Sequence, residues 1–150
     1  MAIPPRAIPA FLLILLGAIL SSVVMNVNSS WYKNLIKPKY NPPNYLFGIV
    51  WPILYILFWL TFVLSDPYDN TVTTLFVIIA VLLASWSPVF FLFQSPNLAS
   101  IVLILLILFS LAYAVVIFKK SKFAFVLFLP FLLWISFATY LNMSIAQLNP

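Results

Sequence analysis

Residues 98–118 read LASIVLILLILFSLAYAVVIF, an apolar run without a charged side chain, closed by Lys119, Lys120, Ser121 and Lys122. About 20 such residues suffice for an α-helix to cross the hydrocarbon core of a bilayer. In that medium only a helix or a closed barrel satisfies its own backbone hydrogen bonds. The run therefore predicts a membrane-spanning helix, and the rest of the chain can be read outward from it. Downstream, Phe123 to Leu148 forms a second such run with Pro130 inside. Upstream, Thr71 to Phe93 forms another, with Pro88 near its end, and Gln94, Ser95, Pro96 and Asn97 make a tight turn back into 98–118. That short turn predicts antiparallel neighbours. Tyr45 to Leu64 precedes it, stopped by Ser65, Asp66 and Pro67. Ile8 to Met25 comes first, closed by the turn-forming cluster Asn26 to Ser30. The predicted fold is an all-α membrane protein, a bundle of five transmembrane helices forming a single domain over residues 1–150. One long loop, Trp31 to Asn44, joins the first and second helices; its prolines and lysines keep it at the membrane face.

Composition supports this reading and removes several chemistries. The chain is 65% hydrophobic and 6% charged, against about 25% charged in soluble domains. It has neither cysteine nor histidine, so disulfides, thiolate nucleophiles and the usual zinc ligands are absent. Its only acidic residues, Asp66 and Asp69, share one polar turn, which gives a paired-carboxylate site nowhere to form. The net charge of +5 comes from residues at the edges of apolar runs, a pattern of membrane anchoring rather than of nucleic-acid binding. Arg6, Lys119, Lys120 and Lys122 fall on one side and Lys33, Lys37 and Lys39 on the other, so the positive-inside bias assigns no orientation. The first run lacks an A-x-A cleavage pattern and is expected to be a retained helix.

Function, if it resides in the membrane, has aromatic material to use. Trp51, Tyr55, Phe58 and Phe62 recur at helical spacing in the second span, and Trp86 and Phe90 in the third. Trp134, Ala138, Leu141 and Asn142 form a comparable face on the fifth. Flat rings lining a cleft suit a flat apolar ligand; an interfacial aromatic belt with ordinary core packing is the alternative. Pro52, Pro88 and Pro130 can bend three helices and open space between them. The small residues Gly17, Ser21 and Ser22 read as helix packing, and Ala80 and Ala84 as a candidate dimer face. No carboxylate or lysine lies at mid-depth, which argues against ion-driven transport.

The loop and second span carry Trp31, Tyr32, Leu35, Lys37, Pro38, Pro42 and Pro43, then Phe47, Val50, Trp51, Leu54 and Tyr55. The third span ends Trp86-Ser87-Pro88-Val89-Phe90-Phe91, and the fifth holds Leu129 to Trp134 followed by Phe137 to Asn142. In order and spacing these three blocks resemble the TspO/MBR family, the tryptophan-rich sensory proteins and peripheral-type benzodiazepine receptors. The resemblance implies a five-helix bundle, often a homodimer, whose cavity opens towards the first loop and binds porphyrins, sterols or benzodiazepine-type ligands. By position, Trp51, Phe90, Trp134 and Ala138 match cavity-lining sites, and Tyr32 matches a residue of the loop that covers the cavity; Asn142 joins them as a polar contact. Trp31, Lys33, Lys37, Pro42 and Pro43 belong to the loop and entrance. Leu83 departs from the asparagine many members carry. The chain ends Gln147-Leu148-Asn149-Pro150 without the basic residue of the animal sterol pattern, so cholesterol is not expected.

Three functions follow. The leading one is a receptor or carrier for protoporphyrin-like tetrapyrroles, stacked on Trp51 and Trp134 with Lys33, Lys37 or Lys39 near the propionates; porphyrin is then a ligand, and no cofactor is required. An enzyme degrading the porphyrin by photochemistry or oxidation is an alternative whose chemistry would come from the ligand, because no side chain supplies it. A stress-linked regulator or assembly partner in the membrane is the third.

Overall fold

A computed structural model describes residues 3–150. Its helices are α1 (Ala7–Val24), α2 (Ser30–Asn34), α3 (Asn44–Ser65), α4 (Asn70–Ser87), α5 (Pro96–Lys120) and α6 (Lys122–Leu148), with a π-helical turn at Pro88–Leu92 extending α4. Five of them, α1, α3, α4 with its π turn, α5 and α6, are long and apolar enough to cross a membrane. The chain is thus an integral, multi-pass membrane protein. Each expected span is present within two residues of its predicted ends. α5 begins two residues early because Pro96 fits the first helical turn, where no N–H is needed, and Ser95 caps it by accepting from the Leu98 N–H at 3.3 Å. It runs on through Lys119 and Lys120, cations that suit a helix C-terminus.

The spans form a ring in the order α1, α4, α5, α6, α3, with α4 and α5 packed side by side as the tight turn required. At one end of the ring the amino-terminal segment, the 66–70 turn and the α5–α6 turn are tied together by polar contacts. The Arg6 guanidinium donates to the carbonyls of Pro67 and Tyr68 at 3.3 and 3.2 Å. Lys120 bridges Asp66 at 3.3 Å and Asp69 at 2.7 Å. At the opposite end lie α2, the π turn and the end of α6.

The half of the bundle nearer Arg6 is filled. Phe58 stacks on Phe76 and Phe131, with centroids 4.4 and 5.0 Å apart, and Phe62 packs on Phe76 at 4.5 Å. Tyr113 closes this cluster against Phe128 and meets the Thr61 hydroxyl at 3.2 Å. The aromatic stripe expected along α3 therefore divides: Phe58 and Phe62 plug the core, while Trp51 and Tyr55 face open space. Large apolar side chains around the outside, including Leu16, Val23, Leu108 and Leu133, stay exposed, as a surface solvated by lipid requires.

Gly17 works as a packing residue: a Cβ there would stand 3.0 Å from the Ala84 Cβ, so α1 and α4 meet closely. This corrects the reading of Ala80 and Ala84 as a dimer face. Ala84 is turned to α1 of its own chain, and Ala80 is 6% exposed.

Candidate functional site

Above the filled half, the bundle encloses a cavity of about 570 Å³, within the usual span of small-molecule sites. α3 supplies Trp51 and Tyr55, α4 supplies Leu83 and Trp86, and the π turn supplies Phe90 and Phe91. α6 adds Ala138, Leu141 and Asn142, and Tyr32 of α2 closes the end. The wall is overwhelmingly apolar and aromatic. Trp51 lies nearly parallel to Tyr55 at 5.6 Å, and Trp86 to Phe90 at 5.4 Å, so two stacked pairs face the same space.

Asn142 fixes the second pair. It is 2% exposed and sits where three elements meet. Its side-chain N–H groups donate to the Pro96 carbonyl and the Ser100 hydroxyl, both at 2.8 Å, and its Oδ1 accepts from the Trp86 indole at 3.1 Å. Both donors are used, and a buried amide in an apolar bundle needs this. Asn142 therefore orients Trp86 more than it offers a contact to a ligand.

The π turn places Phe90. Pro88 brings no backbone N–H to the helix, and the Phe93 N–H reaches back to the Pro88 carbonyl at 3.1 Å, widening the turn. Phe90, 2% exposed, then meets Trp31 edge-on at 5.4 Å and Tyr32 at 6.4 Å. Trp31 thus braces the cavity end without lining it.

Next to the cavity, sharing Val27, Tyr32, Asn41 and Asn44 with it, is a more polar recess of about 410 Å³ lined also by Lys33, Lys37, Pro42 and Pro43. All four of these residues, read from the sequence as loop and entrance, meet there. Lys37 is engaged: its Nζ donates to the Tyr32 carbonyl at 2.7 Å and lies 4.4 Å from the centre of the Tyr32 ring. Lys33 is exposed at the rim. Lys39 lies outside the recess, beside the Tyr40 ring. The Tyr32 hydroxyl donates to Asn44 Oδ1 at 3.3 Å, and burial pushes its pKa up, so it is a neutral donor at ordinary pH.

Of the six residues read as ligand-binding, Tyr32, Trp51, Phe90, Ala138 and Asn142 line the cavity together. Trp134 does not. It packs its ring across the edge of Trp51 at 6.4 Å and of Phe47 at 5.9 Å, and its Nε1 is buried without a partner among the described residues. Sequence reasoning also missed the share of α1: Ile14, Ala18 and Ser22 form the wall facing α3. The sequence pattern places Ser21 and Ser22 as packing residues beside Gly17, because a helix so nearly uniform in apolarity carries no stripe to set a cavity face apart.

A five-span helical bundle with an aromatic-walled cavity defines the class: a multi-pass α-helical membrane protein with an internal pocket. The chain belongs to the TspO/MBR family, whose model matches residues 10–148. It is 40% identical over 129 residues to the tryptophan-rich protein TspO of Chlorobaculum tepidum, covering 81% of this chain and 82% of that one. The tryptophan-rich sensory protein of Cereibacter sphaeroides is 35% identical over 79% of this chain and 77% of its own. Protein CrtK of Rhodobacter capsulatus is 33% identical over 81% and 79% respectively.

Proposed function

We propose that this protein is a membrane receptor or carrier for flat amphipathic molecules of the tetrapyrrole class, with protoporphyrin as its model ligand. The observation that carries the reading is the pairing of two spaces. An apolar cavity faced by Trp51, Tyr55, Trp86 and Phe90 adjoins a polar recess edged by Lys33 and Lys37. A planar macrocycle with carboxylates along one edge matches both: stacking and area burial hold the ring, and the lysine side attracts the acid groups. Leu83, 7% exposed on the cavity wall, makes the grip on the ring apolar rather than hydrogen-bonded. Trp134 acts by holding Trp51 in place. The name of one relative, tryptophan-rich sensory protein, is compatible with ligand occupancy being a signal in this chain too.

Protoporphyrin titrated into the purified protein should quench tryptophan fluorescence saturably. Replacing Lys33 with Gln should weaken protoporphyrin more than its dimethyl ester, which lacks the free carboxylates. Equal effects on both would remove the recess from the site.

A further inference from the structure

The cavity has a side opening. Leu15 and Ser22 of α1 and Gly48, Pro52 and Ile56 of α3 line it, and all five are exposed. Cavity-lining residues this accessible mark a gap in the wall between the two helices. α1 and α3 are held together at the far end, where the Trp59 indole donates to the Ala7 carbonyl at 2.8 Å and Phe11 packs on Trp59 at 5.5 Å. Nearer α2, a Cβ built on Gly48 meets no atom of the described residues within 4 Å. Four residues on, Pro52 has no N–H to give to the Gly48 carbonyl, which leaves a backbone acceptor in the gap.

The end facing α2, in contrast, is fastened. The Asn149 side chain pairs with both backbone groups of Ile36, accepting from its N–H and donating to its carbonyl, each at 2.9 Å. Lys37 holds the Tyr32 carbonyl, and Tyr32 holds Asn44. These bonds brace the loop over that end, whereas among the described residues no side-chain hydrogen bond joins α1 to α3 beyond the Trp59–Ala7 contact.

We infer that the α1–α3 gap is a lateral portal through which flat amphipathic molecules residing in the bilayer pass into the cavity, with Gly48 as its sill. The inference takes its cargo from the tetrapyrrole reading above. A side chain at Gly48 enters open space without moving the backbone, so it can close the gap while leaving the bundle intact.

The test uses the full chain in phosphatidylcholine vesicles preloaded with protoporphyrin IX, following the rate of tryptophan quenching on mixing with protein-bearing vesicles. Gly48→Phe should slow entry by about tenfold or more, whereas Asn149→Ala, which loosens the fastened end, should leave the rate within about twofold. Wild-type entry rates in Gly48→Phe, or faster entry in Asn149→Ala, would overturn the portal. If Gly48→Phe does not fold, Ser22→Phe on the facing wall takes its place with the same expectations. If the wild-type protein binds no porphyrin, the tetrapyrrole reading fails and the portal is judged alone, with lipids brominated on their acyl chains. The quenching that disappears in Trp51→Phe should then also fall in a portal-closed variant, and its persistence there would overturn the inference.

Discussion

The Trp86 indole donates to Asn142 across 3.1 Å, joining the helix that ends in the π turn to the last span at the cavity wall. Because Asn142 also holds Pro96 and Ser100, one buried amide sets both the packing of three elements and the angle of an aromatic wall residue. Asn142→Ala should lower stability by about 1–2 kcal/mol, in keeping with polar contacts inside membrane bundles. It should also weaken porphyrin binding by freeing Trp86. Thermal unfolding in detergent and a binding titration read the two effects, and a loss of stability without a change in affinity would separate Asn142 from the cavity.

The α1–α4 contact predicts a compensating pair. Gly17→Leu forces atoms into the 3.0 Å approach to Ala84 and should cost about 1–3 kcal/mol, as overpacking does. Gly17→Ala should be milder, and Ala84→Gly should recover part of its cost. Unfolding of the two single variants and the double variant measures the coupling; strict additivity would mean that the helices do not meet at this point.

Asp69 predicts a dependence on acid. Its carboxyl is held below the usual carboxylate range, first by the hydrogen bond from Lys120 and then by the backbone N–H of Val72. A carboxyl with a lowered native pKa contributes stability above its unfolded value of about 4, and that contribution is lost as pH falls through the native pKa. The melting temperature should therefore drop below about pH 4, and less steeply in Asp69→Asn. Parallel curves for the two proteins would place the acid sensitivity elsewhere.

The spans were legible because length and apolarity alone define them, and the 94–97 turn fixed one pair of neighbours. The blocks around Trp51, Phe90 and Asn142 come together at one end of the bundle, around the cavity. Helix rotation was less legible. In helices apolar on every side, spacing could not tell that Phe58 belongs to the core and Tyr55 to the cavity, or that Trp134 stands against Trp51 rather than beside it. The π turn at Pro88 was hidden for another reason: a proline announces a break in the hydrogen-bond ladder but not how the ladder closes again. Ala80 and Ala84 show that small-residue spacing names a close contact without naming its partner.

The connection between α1 and α3 should be held by Asn149. In Asn149→Ala the Ile36 amide loses its acceptor, and its hydrogen exchange should speed up by about threefold to tenfold, matching a single hydrogen bond of about 0.5–1.5 kcal/mol. Amides in α5 serve as internal references. Unchanged exchange at Ile36 would mean that the clamp does not persist in the membrane.

The central claim is that a flat ligand lies against Trp51 inside the cavity, and protoporphyrin titration of Trp51→Ala and Trp134→Ala tests it most directly. Trp51→Ala should weaken binding by about tenfold, equivalent to about 1.4 kcal/mol. Trp134→Ala should weaken it less, since its ring only braces Trp51. Wild-type affinity in both variants, or a greater loss in Trp134→Ala, would contradict the account.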